Sequence, residues 1–179
     1  MKTSLLLLTL LTALTIPAFA QGFIGGGLTT TITDRNHRSG PYLEAAIKIG
    51  DVVAAKHELG SVDAYAILFP DPGARFSIAF HPYYAEHWKV RPYVAIGGQW
   101  LNLAGRDEWH STLGVGANLP KGFTVQVTRL HLRPQGWRPA FGYQHKLPHK
   151  LALRLWADLT VNRRAADYGV LSAGVVKTF

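Results

Sequence analysis

The chain has 179 residues, no cysteine and a formal net charge of +8. That length suits one domain, and the lack of cysteine excludes a disulfide-stapled scaffold. Beyond the N-terminal stretch no apolar run reaches the roughly 18–20 residues that a membrane-crossing helix needs, which excludes a helical membrane protein.

The N-terminal stretch reads as an export signal. Lys2 supplies a positive charge and residues 4–16 are apolar. Ala18 and Ala20, separated by Phe19, are the small residues a signal peptidase reads. Cleavage is expected after Ala20, so that 1–20 is a signal peptide and 21–179 one exported domain. Export makes nucleic acid the least suitable of the anionic partners a basic chain attracts, leaving lipid phosphate and acidic polysaccharide. An exported chain without disulfides depends on hydrogen bonding and packing. A closed barrel meets that need because it leaves no strand edge unpaired.

Along 21–179 the dominant pattern is alternation with period two. Strands are expected at about 22–33, 41–49, 52–69, 74–84, 89–101, 109–118, 123–132, 137–146, 150–160 and 168–179. In the second, Leu43, Ala45, Ile47 and Ile49 oppose Tyr42, Glu44, Ala46 and Lys48. In the third, the apolar set shifts from odd to even numbers at Gly60, which suggests a bulge or a turn. A turn there would change the count, and eight strands is the alternative to ten. Phe76, Ile78 and Phe80 oppose Arg75, Ser77 and His81 in the fourth. Val94, Ile96 and Trp100 oppose Arg91, Tyr93 and Gln99 in the fifth. The ninth is the clearest. Leu151, Leu153, Leu155, Ala157, Leu159 and Val161 form one face, with Ala152, Arg154, Trp156, Asp158 and Thr160 on the other. A helix would scatter these residues around its circumference; a strand between lipid and a polar interior sorts them.

Connections at 34–40, 102–108, 133–136 and 162–167 are polar and comparatively long, whereas those at Gly50-Asp51, 85–89, 119–122 and 147–150 are turn-like. The longer set is assigned to the outside, because transmembrane barrels have short periplasmic turns and longer outer loops. Trp100, Trp109, Trp137 and Tyr168 then form an outer aromatic girdle, and Tyr84, Trp88, Tyr143 and Phe179 an inner one.

The final segment, 168–179, carries apolar residues at alternate positions, Leu171, Ala173 and Val175, and ends in Phe179. It resembles the last strand of bacterial outer-membrane β-barrel proteins, which typically end in an aromatic residue. Lys177 departs from that pattern, although a lysine can snorkel to the interface. The resemblance implies an all-β fold, a single antiparallel up-and-down transmembrane barrel of about ten strands, in the cell outer membrane. Outer-membrane lipid and the barrel assembly machinery are its implied partners, with Leu171, Ala173, Val175 and Phe179 as the assembly signal.

The chemistry is sparse. Glu44, Lys48, Lys56, Glu58, Arg75, Arg91, Arg138, Arg154 and Asp158 fall on the expected inner face, where charges must be paired or hydrated. Glu44 with Lys48, and Arg154 with Asp158, are same-face neighbours. A structural charge network filling the lumen is the leading reading, and a narrow anion-preferring pore the first rival. An enzyme acting on lipid or peptide is a second rival. Ser77 and His81 share a face but stand two pleats apart, His110 and Ser111 point to opposite faces, and Asp107 and Glu108 suit a polar loop. A secreted lipocalin-like binder is a third rival and needs the inverse arrangement, with apolar residues inside. His145 and His149 flank a turn without metal-ligand spacing, and Gly25-Gly26-Gly27 lacks the helix and lysine of a phosphate loop. No catalytic, cofactor or metal site is therefore expected. The expected loops are basic, through Arg35, Arg38, Arg106, Arg133, Arg163 and Arg164, and are expected to bind anionic cell-surface polymer weakly. The expected role is structural, adhesive or barrier-forming.

Overall fold

The structure is a computed structural model that describes residues 21–33, 37–54, 57–69, 73–82, 89–103, 106–131, 136–162 and 168–179. Ten antiparallel strands close into one barrel, each hydrogen-bonded to its neighbours in sequence, with the first paired to the last. They are β1 (Gly22–Thr33), β2 (His37–Ala54), β3 (His57–Leu68), β4 (Gly73–Pro82), β5 (Arg91–Leu103), β6 (Arg106–Asn118), β7 (Phe123–Leu130), β8 (Gly136–Lys146), β9 (Leu151–Asn162) and β10 (Tyr168–Thr178). Closure runs along the whole of β1, from Phe23 opposite Thr178 to Thr33 opposite Tyr168. Every strand thus spends its backbone donors and acceptors on two partners, the condition for crossing a bilayer with strands. No helix of the described residues is long and apolar enough to cross a membrane. The end of the barrel that carries both ends of the described chain is called the terminal end, and the opposite one the distal end.

The ten-strand expectation holds, but the boundary between the second and third strands moves. Gly50 and Asp51 do not form a turn; they lie inside an 18-residue β2. The pairing of β2 with β3 skips Ile49, between Lys48–Asp63 and Gly50–Val62, and skips Leu59, between Val52–Gly60 and Val53–Glu58. Each skipped residue is a bulge, and each flips the phase of alternation. The odd-to-even switch near Gly60 is the trace of the second bulge.

The expected contrast between long outer loops and short inner turns is also corrected. At the distal end β5 and β6 are paired as far as Leu103 and Arg106, and β1 and β2 as far as Ile32 and His37. Arg106 and Arg38 therefore belong to strands, not to loops. These strand ends look like loops in sequence because both faces are polar: Thr30 and Thr31 stand opposite Ser39 and Arg38. Past a bilayer edge neither face requires apolar residues.

Candidate functional site

Alternation sends two chemically opposite sets of side chains to the two sides of the wall. Outward, the exposed residues include Phe76, Ile78, Val94, Ile96, Leu113, Val115, Val125, Val127, Phe141, Leu155, Leu171 and Val175. These come from consecutive strands and encircle the barrel. Trp100, Trp109 and Trp137 sit on the same face toward the distal end, exposed, with Phe76 stacked on Trp109 at 5.3 Å. Inward lie most of the buried polar groups: Thr29, Glu44, Arg75, Gln99, His110, Arg138, Asp158 and Thr160. A water-soluble barrel would show the reverse. The chain is built as a transmembrane β-barrel.

Two solved structures match over most of the chain. The crystal structure of Neisserial surface protein A (NspA) matches with a TM-score of 0.34 and 12% identity over 89% of this chain and 97% of that one. The crystal structure of Ail, the attachment invasion locus protein of Yersinia pestis, gives a TM-score of 0.33 and 9% identity over 89% and 97%. No protein-family model and no curated protein matches the sequence.

The interior is tied across its width. Strands β4 and β9 face each other across the ten-strand ring, and Arg75 on β4 reaches Asp158 on β9 through two hydrogen bonds of 2.5 and 3.2 Å. Trp156 Nε1 donates to the same carboxylate at 3.1 Å. Charge-assisted, two-pronged pairs are the strongest of their kind, and a desolvated one resists the loss of either partner. Beside it, Arg138 on β8 donates to Gln99 on β5, and Gln99 Nε2 donates to Tyr168 Oη on β10 at 2.7 Å. A second group lies nearer the middle of the barrel. Glu44 accepts from Tyr65 at 3.0 Å and from Tyr42 at 3.4 Å, and pairs with Arg154 at 3.0 Å. The Arg154 guanidinium also lies over the rings of Phe23, Tyr65 and Trp156.

Of the nine residues expected in the lumen network, five come together here: Glu44, Arg75, Arg138, Arg154 and Asp158. The partners differ from those expected. Arg154 pairs with Glu44 rather than Asp158, because Asp158 is taken by Arg75 from the opposite wall. Lys48 bonds Asp51 at 2.7 Å, toward the terminal end, not Glu44. Arg91 is exposed at the terminal end, and Glu58 is exposed beside the β2–β3 connection, so neither joins the network. Lys56 lies outside the described residues, as do Arg35, Arg133, Arg163 and Arg164. In β10, Leu171, Ala173 and Val175 face outward, and Phe179 N donates to Gly22 O at 3.1 Å.

The aromatic girdles need revision. Tyr168 is buried and serves the lumen. Tyr84 and Trp88 fall outside the described residues. Tyr42, Tyr65, Gln99 and Tyr168 are the residues of the lumen network that the sequence did not single out. The parity of Tyr42 and Gln99 puts them on the polar face, but neutral side chains carry no charge to mark them as members of a charge network.

Ser77 and His81 do not form a catalytic pair. Ser77 and His81 both face the lumen but no contact joins them. His81 lies 3.4 Å from Asp63 Oδ2 instead. His110 is buried on the inner face and Ser111 is exposed on the outside. No metal-binding cluster occurs among the described residues.

Proposed function

We propose that the protein is an integral outer-membrane barrel that does not conduct, with a structural or adhesive role. The observation that carries the reading is the pair of ties across the lumen, Arg75 to Asp158 and Gln99 to Tyr168, inside a wall whose outer face is apolar. An open pore needs a continuous wet path, whereas these bonds join opposite strands through the centre. Phe69, Ile67, Val170 and Tyr42 pack with Tyr168 in the distal half and add an apolar stopper. The narrow anion pore is the weaker reading for that reason. The distal end, where Arg38 is exposed, is the surface proposed to meet anionic envelope polymer.

Fractionation and conductance test the reading. The protein should sediment with outer membranes, migrate differently on gels before and after heating, and give no steady ion current in a planar bilayer. Recovery as a soluble periplasmic protein would overturn the membrane assignment; a stable single-channel current would overturn the closed lumen.

A further inference from the structure

Among the described residues, the charges clustered around Glu44 and Asp158 do not balance. Three guanidiniums, Arg75, Arg138 and Arg154, share two carboxylates, Glu44 and Asp158, and both carboxylates are committed. Asp158 holds Arg75 in a two-pronged pair and also takes the Trp156 N–H; Glu44 holds Arg154 and two tyrosines. Arg138 is left with a neutral partner, the Gln99 side-chain oxygen. It is only 8% exposed. A desolvated cation bonded to an amide alone is costly, and proteins relieve such a group with a counter-ion.

The space for one is present. A cavity of about 260 Å³ runs from Arg75, Arg138 and Arg154 to the terminal rim at Asn118, Gly122 and Gln144. It exists because the inward positions there are small: Ala79, Ala95, Gly114, Ala140 and Gly142. Neutral donors stand next to the free side of Arg138. Thr128, which faces Arg138 across the β7–β8 register, accepts from Gln126 at 2.9 Å and so keeps its own hydroxyl proton for another acceptor. Thr112, on the neighbouring strand, also lines the cavity. Arg75 Nε is buried without an acceptor. The acidic group that lines the cavity nearer the terminal end, Asp63, lies 3.4 Å from His81 Nε2.

We propose that this cavity binds a small oxyanion, such as phosphate, sulfate or a small carboxylate, on the Arg138 guanidinium, entering from the terminal end. The bound anion supplies Arg138 with the negative partner that Gln99 does not provide. Because the distal half is packed, the site is a dead end rather than a stage in permeation. It is independent of where the barrel resides, since it is read in detergent-folded protein.

The test uses the full barrel folded in detergent, with inorganic phosphate, sulfate and acetate compared against chloride at equal ionic strength. Thermal unfolding is followed by heat-modifiable migration, and binding by broadening of the phosphorus resonance of phosphate. At least one of the three oxyanions should raise the unfolding temperature of the native protein above its value in chloride. The Arg138→Gln variant should bind it about tenfold more weakly or worse, the usual effect of losing a charge-assisted hydrogen bond. The Gln99→Glu variant keeps Arg138 but hands it an internal carboxylate. It should fold, be more stable than the native protein in chloride, and lose the response to oxyanions. That second variant decides the matter if Arg138→Gln fails to fold. Equal stability of the native protein in all four salts, or an unchanged response in folded Gln99→Glu, would overturn the proposal.

Discussion

The two halves of the lumen obey one alternation rule and end up unlike each other. In the distal half the inward positions hold Ile67, Phe69, Arg75, Gln99, Leu130, Arg138, Asp158 and Tyr168, all buried. Their bulk meets at the axis, and the polar ends bond from wall to wall. In the terminal half many inward positions are small, among them Ala46, Ser77, Ala79, Ala95, Gly114, Ala140 and Gly142, and with His81, Tyr93, Gln126 and Trp156 they stand around a void. Aromatic rings fold back against glycine rather than across the barrel: a β-carbon on Gly142 would come within 2.6 Å of the Trp156 ring. Side-chain volume at alternate positions, not strand number, decides whether a barrel of this size is plugged or hollow.

The comparison makes unequal forecasts for the two halves. The largest effect belongs to Asp158→Ala. It strips Arg75 of its partner and leaves two buried guanidiniums, Arg75 and Arg138, without a committed carboxylate, a loss on the order of 3–5 kcal/mol. Urea unfolding of the detergent-folded barrel measures it. Adding Arg75→Met to Asp158→Ala should recover part of the loss, because the stranded charge is then gone.

The smallest effect belongs to the terminal half. Lys48 and Asp51 form an ion pair with both side chains substantially in solvent, 29% and 39% exposed. Such pairs contribute about 0–1 kcal/mol. Lys48→Ala should therefore fall within that range in the same unfolding assay and lose what it contributes at high salt. A loss for Lys48→Ala as large as that for Asp158→Ala would mean that the distal half is not the anchored one.

How much of this was legible in the sequence follows from what each feature depends on. The faces of β9 were readable residue by residue, because Arg154, Trp156 and Asp158 meet a polar lumen while Leu153, Leu155 and Leu159 meet none. Local chemistry was enough there. The β2–β3 boundary was not readable, because bulges at Ile49 and Leu59 reverse the phase twice within a few residues. The distal ends of β2 and β6, residues 37–40 and 106–108, resembled loops for want of an apolar face. The partners inside the lumen were out of reach for a further reason. Parity tells which way Arg75 and Asp158 point, but whether strands four and nine stand opposite depends on ring closure, which no local pattern carries. The near-neighbour pairs Glu44–Lys48 and Arg154–Asp158 were the natural expectation from one strand at a time; Arg75 from β4 takes Asp158, Arg154 from β9 takes Glu44, and Lys48 turns to Asp51 on its own strand.

The central claim is that the apolar face meets lipid while the polar face is enclosed. The absence of cysteine allows that claim to be tested with single introduced thiols, since no native thiol competes for label. A fluorophore on Leu153→Cys, Leu155→Cys or Leu159→Cys, in vesicles containing brominated lipid, should be strongly quenched by the acyl chains. Thiols at Ala152→Cys and Thr160→Cys, on the same strand but facing inward, should label slowly and show little quenching. Alternating quenching along β9 is the predicted result. Uniform quenching, or quenching of the Ala152 and Thr160 positions instead, would contradict the account.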